Sequence, residues 1–362
     1  MTRRATDVVV IGGGLAGASV AYHLVAAGAR ATLVDRRDPG RATDAGAGIL
    51  SPETTRAAGD EWDALAAACG RYYRELSAAL PGDHGFAECG LLAVALGDWD
   101  AGACDDLLAR SPALTAVTPE EARRRFPPLA DVARAVWNPG AARVDGRRFA
   151  AAVLAAAEAR GLERVDASAD RVSGGEGGEG GEVEAGGDVW ACGAVVIAGG
   201  AWSPAMAAQL GVELPVHPER GQIAHLGIEE DTSGWPIVSP VLGDYFVPWP
   251  GGRVATGATR EPDAGFAPRA TVAGVRQLVN EVGRVAPGLL GAELLEVRVG
   301  LRPASADGLP VLGAVADGVW VATGYGADGL LLSPWCGKLV ASWALGGALE
   351  PGLEPFLASR FG

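Results

Sequence analysis

Residues 8–24 read VVVIGGGLAGASVAYHL, and a second apolar run, ATLV at 31–34, ends in Asp35. Val8, Val9, Val10 and Ile11 are apolar without alternation, as expected of a parallel strand covered on both faces. From Ala16 onward Val20, Leu24 and Val25 supply the buried side of a helix. Between strand and helix, Gly12-Gly13-Gly14-Leu15-Ala16-Gly17 satisfies GxGxxG in the strand-turn-helix setting that gives the motif its meaning. Gly12 serves the tight turn, Gly14 lets a pyrophosphate reach the backbone, and Gly17 lets the helix close on the strand. The phosphate charge then rests at the helix N-terminus. Asp35 stands where an acid accepts hydrogen bonds from a ribose hydroxyl, although Arg36 and Arg37 beside it leave room for a 2′-phosphate. A bound dinucleotide follows. Nicotinamide and flavin both stay open at this point.

The next segment bears on that choice. RATDAGAGILSP at 41–52 packs Gly46, Ala47 and Gly48 where a nicotinamide dehydrogenase would continue into an ordinary helix. Small residues there admit a flat ring or a second phosphate close to the backbone. A flexible loop is the other reading of the same residues.

With its later segments included, the chain resembles the D-amino-acid oxidase superfamily of FAD-dependent oxidoreductases, and most of all the glycine oxidase branch. The likeness is carried by the glycine motif, AGAGIL at 45–50, VVIAGGAWSPAM at 195–206, PERGQ at 218–222, YFVPWPGGRVATGATRE at 245–261, GLRPASADGLPVLG at 300–313 and ATGYGADGLLLSP at 322–334. These pieces keep the family's order and span nearly the whole chain. The resemblance implies FAD, bound extended and kept through turnover. It also implies an α/β fold, with a Rossmann-like FAD-binding domain and a second, mainly antiparallel β substrate domain. By analogy the FAD domain is discontinuous, at 1–80, 146–214 and 299–362, and the substrate domain takes 81–145 and 215–298.

Carried onto this sequence, the family's cofactor contacts fall on Gly12, Gly14, Leu15, Ala16 and Gly17, and on Asp35 and Arg36. They continue at Ala42, Thr43, Ala47, Gly48 and Ile49, then at Ala198, Gly199 and Gly200. The last group is Gly326, Ala327, Asp328, Gly329, Leu330 and Leu331. Some relatives tether the ring to a cysteine near the position of Leu301, but Gly300-Leu301-Arg302-Pro303 offers no thiol, so non-covalent FAD is expected.

Arg302 lies in an otherwise uncharged stretch, 299–304. A guanidinium in such surroundings is costly unless paired, and its planar fork fits a carboxylate. Relatives use the matching arginine to grip the substrate carboxylate; a structural ion pair, with Asp307 as a partner, is the alternative. Tyr245 matches the family's second hydrogen-bonding group to substrate, and as an ordinary half-buried strand tyrosine it would look the same. The segment 324–330 enters a final helix whose N-terminus, aimed at the flavin, would stabilise negative charge on the ring. The implied reaction passes the Cα hydride of an amino or imino acid to flavin N5, hydrolyses the imine, and gives the electrons to O₂ or another acceptor, with peroxide formed in the first case. One departure from the family stands out. Glycine oxidases carry a second arginine where this chain has Ala327, beside Asp328, so a bulkier or N-substituted substrate is expected over glycine.

Composition sets outer limits. At 362 residues two domains are the prior expectation. Apolar runs break well before the roughly 18 residues a membrane span needs, so no span is expected. The first apolar run follows two arginines but enters a glycine turn rather than a cleavage pattern, and reads as a strand. Five cysteines without a CxxC pair and four histidines without ligand spacing point to the cytoplasm and to no metal site. His217 and His225 read as polar or structural. A net charge of −14 disfavours nucleic acid, and with it a flavin domain acting on modified tRNA. A quinone-linked amino-acid dehydrogenase of the same fold is the nearer alternative, and a homo-oligomer is compatible with either. Lys338 is the only lysine, in a segment read as helix, which leaves Schiff-base chemistry one weak candidate. Phe149–Gly161 reads as an alanine-rich helix, TPEEARRRFPPL as a helix capped by Thr118, and GGEGGEGGEVEAGG as an acidic surface hairpin tip.

Overall fold

The valine run forms the strand Arg3–Ile11, at the centre of an eight-stranded sheet in the computed structural model. The structure describes residues 1–55, 59–174 and 180–362. Ala31–Val34 pairs in parallel on one side of the central strand and Asp188–Ile197 on the other, with Glu163–Val165 beyond the first. Pleating sends Val8 and Val10 to one face and Val9 and Ile11 to the other. All four are buried, which is why the run is apolar without alternation. Val8 and Val10 pack in one core with the helices Leu15–Ala26, Asp60–Ala79, Gly146–Glu158 and Gly329–Ala344. Val9 and Ile11 join Val172, Val183 and Trp190 from an antiparallel meander on the opposite face.

The strand Asp188–Ile197 changes partner along its length. Its first half pairs antiparallel with Gly181–Ala185, and its last residues, Val195–Ile197, pair in parallel with Val319–Thr323. Gly181–Ala185, read from sequence as part of a hairpin tip, is thus a paired strand with Val183 fully buried. The centre of that glycine-rich stretch, 175–179, lies outside the described residues. The alanine-rich helix starts earlier than its apolar pattern does, at Gly146, because the Asp145 carboxylate accepts from the amides of Arg147 at 3.1 Å and Arg148 at 3.2 Å. Thr118 caps Pro119–Arg125 as expected, accepting from the Glu121 amide at 3.2 Å.

A second eight-stranded sheet runs in the spatial order Glu293–Ser305, Val216–Gly227, Arg253–Gly257, Tyr245–Trp249, Ile237–Pro240, Leu91–Ala95, Arg134–Asn138 and Thr115–Val117. Its pairs are antiparallel except Ile237–Pro240 with Leu91–Ala95. Two features tie this sheet to the first unit. The Leu301 amide donates to the Gly40 carbonyl at 2.8 Å, and Ala304 bridges to Tyr325. In the final helix Pro334 has no amide to offer the Leu330 carbonyl one turn earlier. The Tyr73 hydroxyl, from Asp60–Ala79, donates to that carbonyl instead and so fixes the helix entrance. Among the described residues no helix is long and apolar enough to cross a membrane.

Candidate cofactor and substrate site

A cavity of about 510 Å³ opens where the C-terminal ends of the first sheet's parallel strands meet the second sheet. One end is bounded by Gly12, Gly14, Leu15 and Ala16 from the glycine turn, and by Asp35 and Arg36 after the second strand. Ala42, Thr43, Ala47, Gly48 and Ile49 line it further along, as do Ala198, Gly199 and Gly200 after Ile197 and the run Gly326–Leu331 before and into the last helix. Every residue expected to touch the cofactor lines this space except Gly17. Gly17 acts one layer back: a Cβ there would lie 1.9 Å from the Gly12 carbonyl oxygen, so its absence is what lets helix and turn touch.

The lining fits a dinucleotide on three counts. The helices Leu15–Ala26 and Gly329–Ala344 both begin at the cavity with no acid inside their first turns, the Leu15 amide donating to Thr43 Oγ1 at 3.0 Å and Asp328 standing at the N-cap of the second, so the remaining first-turn amides of both are directed at the cavity. A Cβ on Gly48, whose φ is +82°, would sit 1.8 Å from the Val144 carbonyl oxygen; the backbone that lines the cavity here passes directly over a neighbouring strand. Asp35 is held ready at the end of its strand, its Oδ2 accepting from Arg41 Nη1 at 2.7 Å. The basic residues beside it are already paired, Arg36 with Asp38 at 2.5 Å and Arg37 with Asp166 at 3.2 Å, which leaves the acid to face the cavity.

The other end is made of side chains from the second sheet. Arg302 and Glu219 are direct cross-strand partners in the ladder between Val216–Gly227 and Glu293–Ser305. Arg302 Nη1 donates to Glu219 Oε1 at 3.0 Å and to the Thr259 carbonyl at 3.0 Å, while its guanidinium lies against Gly221, where a Cβ would come within 2.5 Å of both terminal nitrogens. The alternative partner considered from sequence, Asp307, is instead held by Arg360 at 2.7 Å. Asp307 lies in the turn just after the strand ends at Ser305, whereas Glu219 faces Arg302 across the ladder. Tyr245 also lines the cavity, and burial pushes its phenol up to about 12, so the hydroxyl stays a proton donor. Asp244 beside it is raised by burial and by the neighbouring Glu281.

Arg41, Glu219, Asp244 and Arg260 were not singled out from the sequence. Glu219 and Arg260 lie inside the quoted segments PERGQ and GATRE, and a charge inside an otherwise apolar or glycine-rich segment was the available signal. His225 is 3% exposed with neither ring nitrogen hydrogen-bonded; burial and then Arg298 and Arg253 hold its pKa down at about 4. All five cysteines are free. Among the described residues no cluster of His, Cys, Asp or Glu could hold a metal.

Residues 7–343 match the DAO family, described as FAD dependent oxidoreductase. The chain belongs to this family. The uncharacterised oxidoreductase YurR of Bacillus subtilis (strain 168) is 35% identical over 96% of this chain and 97% of that one. The glycine oxidase of Geobacillus kaustophilus (strain HTA426) is 30% identical over 99% of this chain and 98% of its own. Among solved structures, the iminodiacetate oxidase of Chelativorans sp. BNC1 superimposes with a TM-score of 0.90 at 35% identity, covering 97% of this chain and 98% of that one. The protein is therefore an FAD-dependent oxidoreductase, and the glycine turn and helix entrances lining the cavity fit a dinucleotide of that kind.

Proposed function

We propose that this DAO-family enzyme oxidises a small amino or imino acid between Cα and nitrogen. The carrying observation is the posture of Arg302: a cavity-lining guanidinium, cross-strand from Glu219, both of whose hydrogen bonds within the described residues leave from Nη1. Such a fork suits a planar anion, and a substrate carboxylate is the anion this family's chemistry brings. Bound FAD supplies the redox step, taking two electrons and the Cα hydrogen from the amine, after which water splits the imine into an α-keto acid and an amine or ammonia. Arg302 holds the carboxylate. Tyr245, kept protonated by burial, donates a second hydrogen bond to it. The first-turn peptide N–H groups of Gly329–Ala344, whose start lines the cavity, would favour negative charge on a cofactor held there. No general base is required if the amine enters neutral. O₂ takes the electrons and leaves as H₂O₂. This reading treats the first sheet with its helices as the FAD domain, and the segments 81–145 and 215–298 as the substrate domain.

Anaerobic mixing of the holoenzyme with glycine, sarcosine, D-alanine, D-proline and iminodiacetate tests the proposal. Bleaching of the flavin by at least one of them, with stoichiometric peroxide on admitting air, is expected. If none bleaches it, the proposal fails. If bleaching occurs but electrons pass only to an artificial acceptor, the enzyme is a dehydrogenase rather than an oxidase.

A further inference from the structure

Glu219 Oε1 accepts two arginines at once, Arg302 Nη1 at 3.0 Å and Arg260 Nη1 at 3.1 Å. Both arginines line the same cavity. They differ in how firmly they are held. The Arg302 side chain is 14% exposed and also bonded to the Thr259 carbonyl, whereas that of Arg260 is 65% exposed and has, among the described residues, only the rim ion pair, a contact of small worth that is easily exchanged. The backbone beneath Arg260 is rigid. Thr259 exchanges hydrogen bonds with Gln222, and Glu261 is gripped by Arg220 at 2.6 Å and by Gln222 at 2.6 Å. A mobile guanidinium therefore stands on a fixed base at the cavity mouth, one shared oxygen away from the substrate-facing arginine.

We infer that Arg260 is a second carboxylate anchor, so that the cavity is built for a dicarboxylic secondary amine of the N-carboxymethyl amino acid class. With no second carboxylate present, Glu219 stands in for it, separating the like charges of the two guanidiniums. When one arrives, Arg260 leaves a single shared oxygen for a carboxylate that can offer both of its own. Glu219 keeps Arg302 oriented throughout. The number of arginines is then the same as where the resemblance puts a second one at Ala327, but their placement differs: Arg302 and Arg260 flank Glu219 and so offer separate positions for two carboxylates. Asp244, the other carboxyl at this end, is raised by burial and by the neighbouring Glu281. This inference rests on the cavity being an amino-acid site, as proposed above.

Calorimetry of the holoenzyme with two unreactive ethers separates the two ideas. Oxydiacetate carries two carboxylates and no amine, and methoxyacetate carries one. The wild type is expected to bind oxydiacetate about tenfold more tightly than methoxyacetate. Arg260→Met should reduce that ratio to within about twofold, and Arg260→Lys should restore part of it. In turnover, Arg260→Met should lower kcat/KM for iminodiacetate several times more than for sarcosine. Equal binding of the two ethers by the wild type, or a ratio that survives Arg260→Met, overturns the inference. If sarcosine still bleaches the flavin in that case, amine oxidation stands without it; if the ratio behaves as expected but no amine bleaches the flavin, the anchor stands and the oxidation proposal falls.

Discussion

The two ends of the cavity are built by different means. The end proposed to hold the cofactor is largely backbone: peptide N–H groups at two helix termini, and glycines whose missing Cβ atoms let strands and turns approach one another. The substrate end is side chain: Arg302, Glu219, Arg260, Asp244 and Tyr245, brought together by strand pairing. A backbone cradle serves one ligand and tolerates little change. In the proposed reading, a ring of charged side chains on a paired sheet can be changed without disturbing the cradle.

The sharpest way to break this contrast is Gly48→Ala. The new Cβ would meet the Val144 carbonyl oxygen at 1.8 Å on a residue with φ +82°, and that oxygen belongs to main chain that cannot swing aside. A destabilisation of about 3 kcal/mol or more is expected, from left-handed strain plus the clash. The flavin-to-protein absorbance ratio of the purified variant should drop with it. A variant that melts and loads flavin like the wild type would show that backbone approach at Gly48 is dispensable.

At the other end, Arg302→Ala removes charge-assisted hydrogen bonds worth about 1.5–3 kcal/mol to the bound carboxylate, so kcat/KM should fall roughly ten- to more than a hundredfold. Flavin content should persist, because Glu219 retains Arg260 at 3.1 Å and the ladder beneath is unchanged. Steady-state kinetics and a flavin spectrum on one preparation check both halves. Loss of the flavin together with activity would make Arg302 a structural ion pair and erase the distinction between the ends.

The same contrast explains what could be read in advance. The cradle was legible because its parts are contiguous: the turn at 12–17, the small residues at 46–48 and the helix entrance at 326–331 each carry their own signal of glycine plus periodicity. The substrate end was legible only where a resemblance pointed, at Arg302 and Tyr245. Glu219 pairs with Arg302 across 83 positions of sequence through an antiparallel register, which local patterns do not encode, so the nearer Asp307 was the partner available to a sequence reading. The edges of the alanine-rich helix and of the acidic hairpin were misplaced for a related reason. Asp145 as a cap and Val183 as a core residue acquire their meaning from neighbours elsewhere in the chain.

His225 lies on the same strand as Glu219 and borders Thr43, Gly46 and Ala47, which line the cavity from the other side. Its pKa is about 4 in the folded protein, against 6.5 unperturbed. Between those values the unfolded chain takes up a proton that the folded chain refuses, so stability is complete above pH 6.5 and declines as pH falls toward 4. At about 1.4 kcal/mol per pKa unit, the loss attributable to this ring is about 3 kcal/mol across that window. His225→Gln should flatten the acid limb of denaturant-derived stability, leaving the part that belongs to His23, which is also held at about 4. An unchanged acid limb would mean that His225 protonates freely in the folded state.

The smallest effect sharpens the comparison most, because it moves a charge from one end to the other. Ala327 is an exposed cavity-lining residue on the turn Gly326–Asp328, at the position where the resemblance to glycine oxidases implies an arginine. An arginine there would add a carboxylate contact on the cofactor side and fill volume that a larger or N-substituted amine could otherwise use. Asp328 beside it would claim part of the new charge, and the position is open to solvent, so the gain is modest. The wild type is expected to favour sarcosine, D-proline or iminodiacetate over glycine in kcat/KM. Ala327→Arg should raise the efficiency of glycine relative to sarcosine by about three- to tenfold. Combining it with Arg260→Met would shift the second cation from the mouth to the turn, and preference should pass from dicarboxylic to small monocarboxylic amines. If glycine is already the best substrate of the wild type, or the added arginine leaves the ratio where it was, then the residue at 327 does not govern specificity and the substrate end is set by Arg302 and its ladder alone.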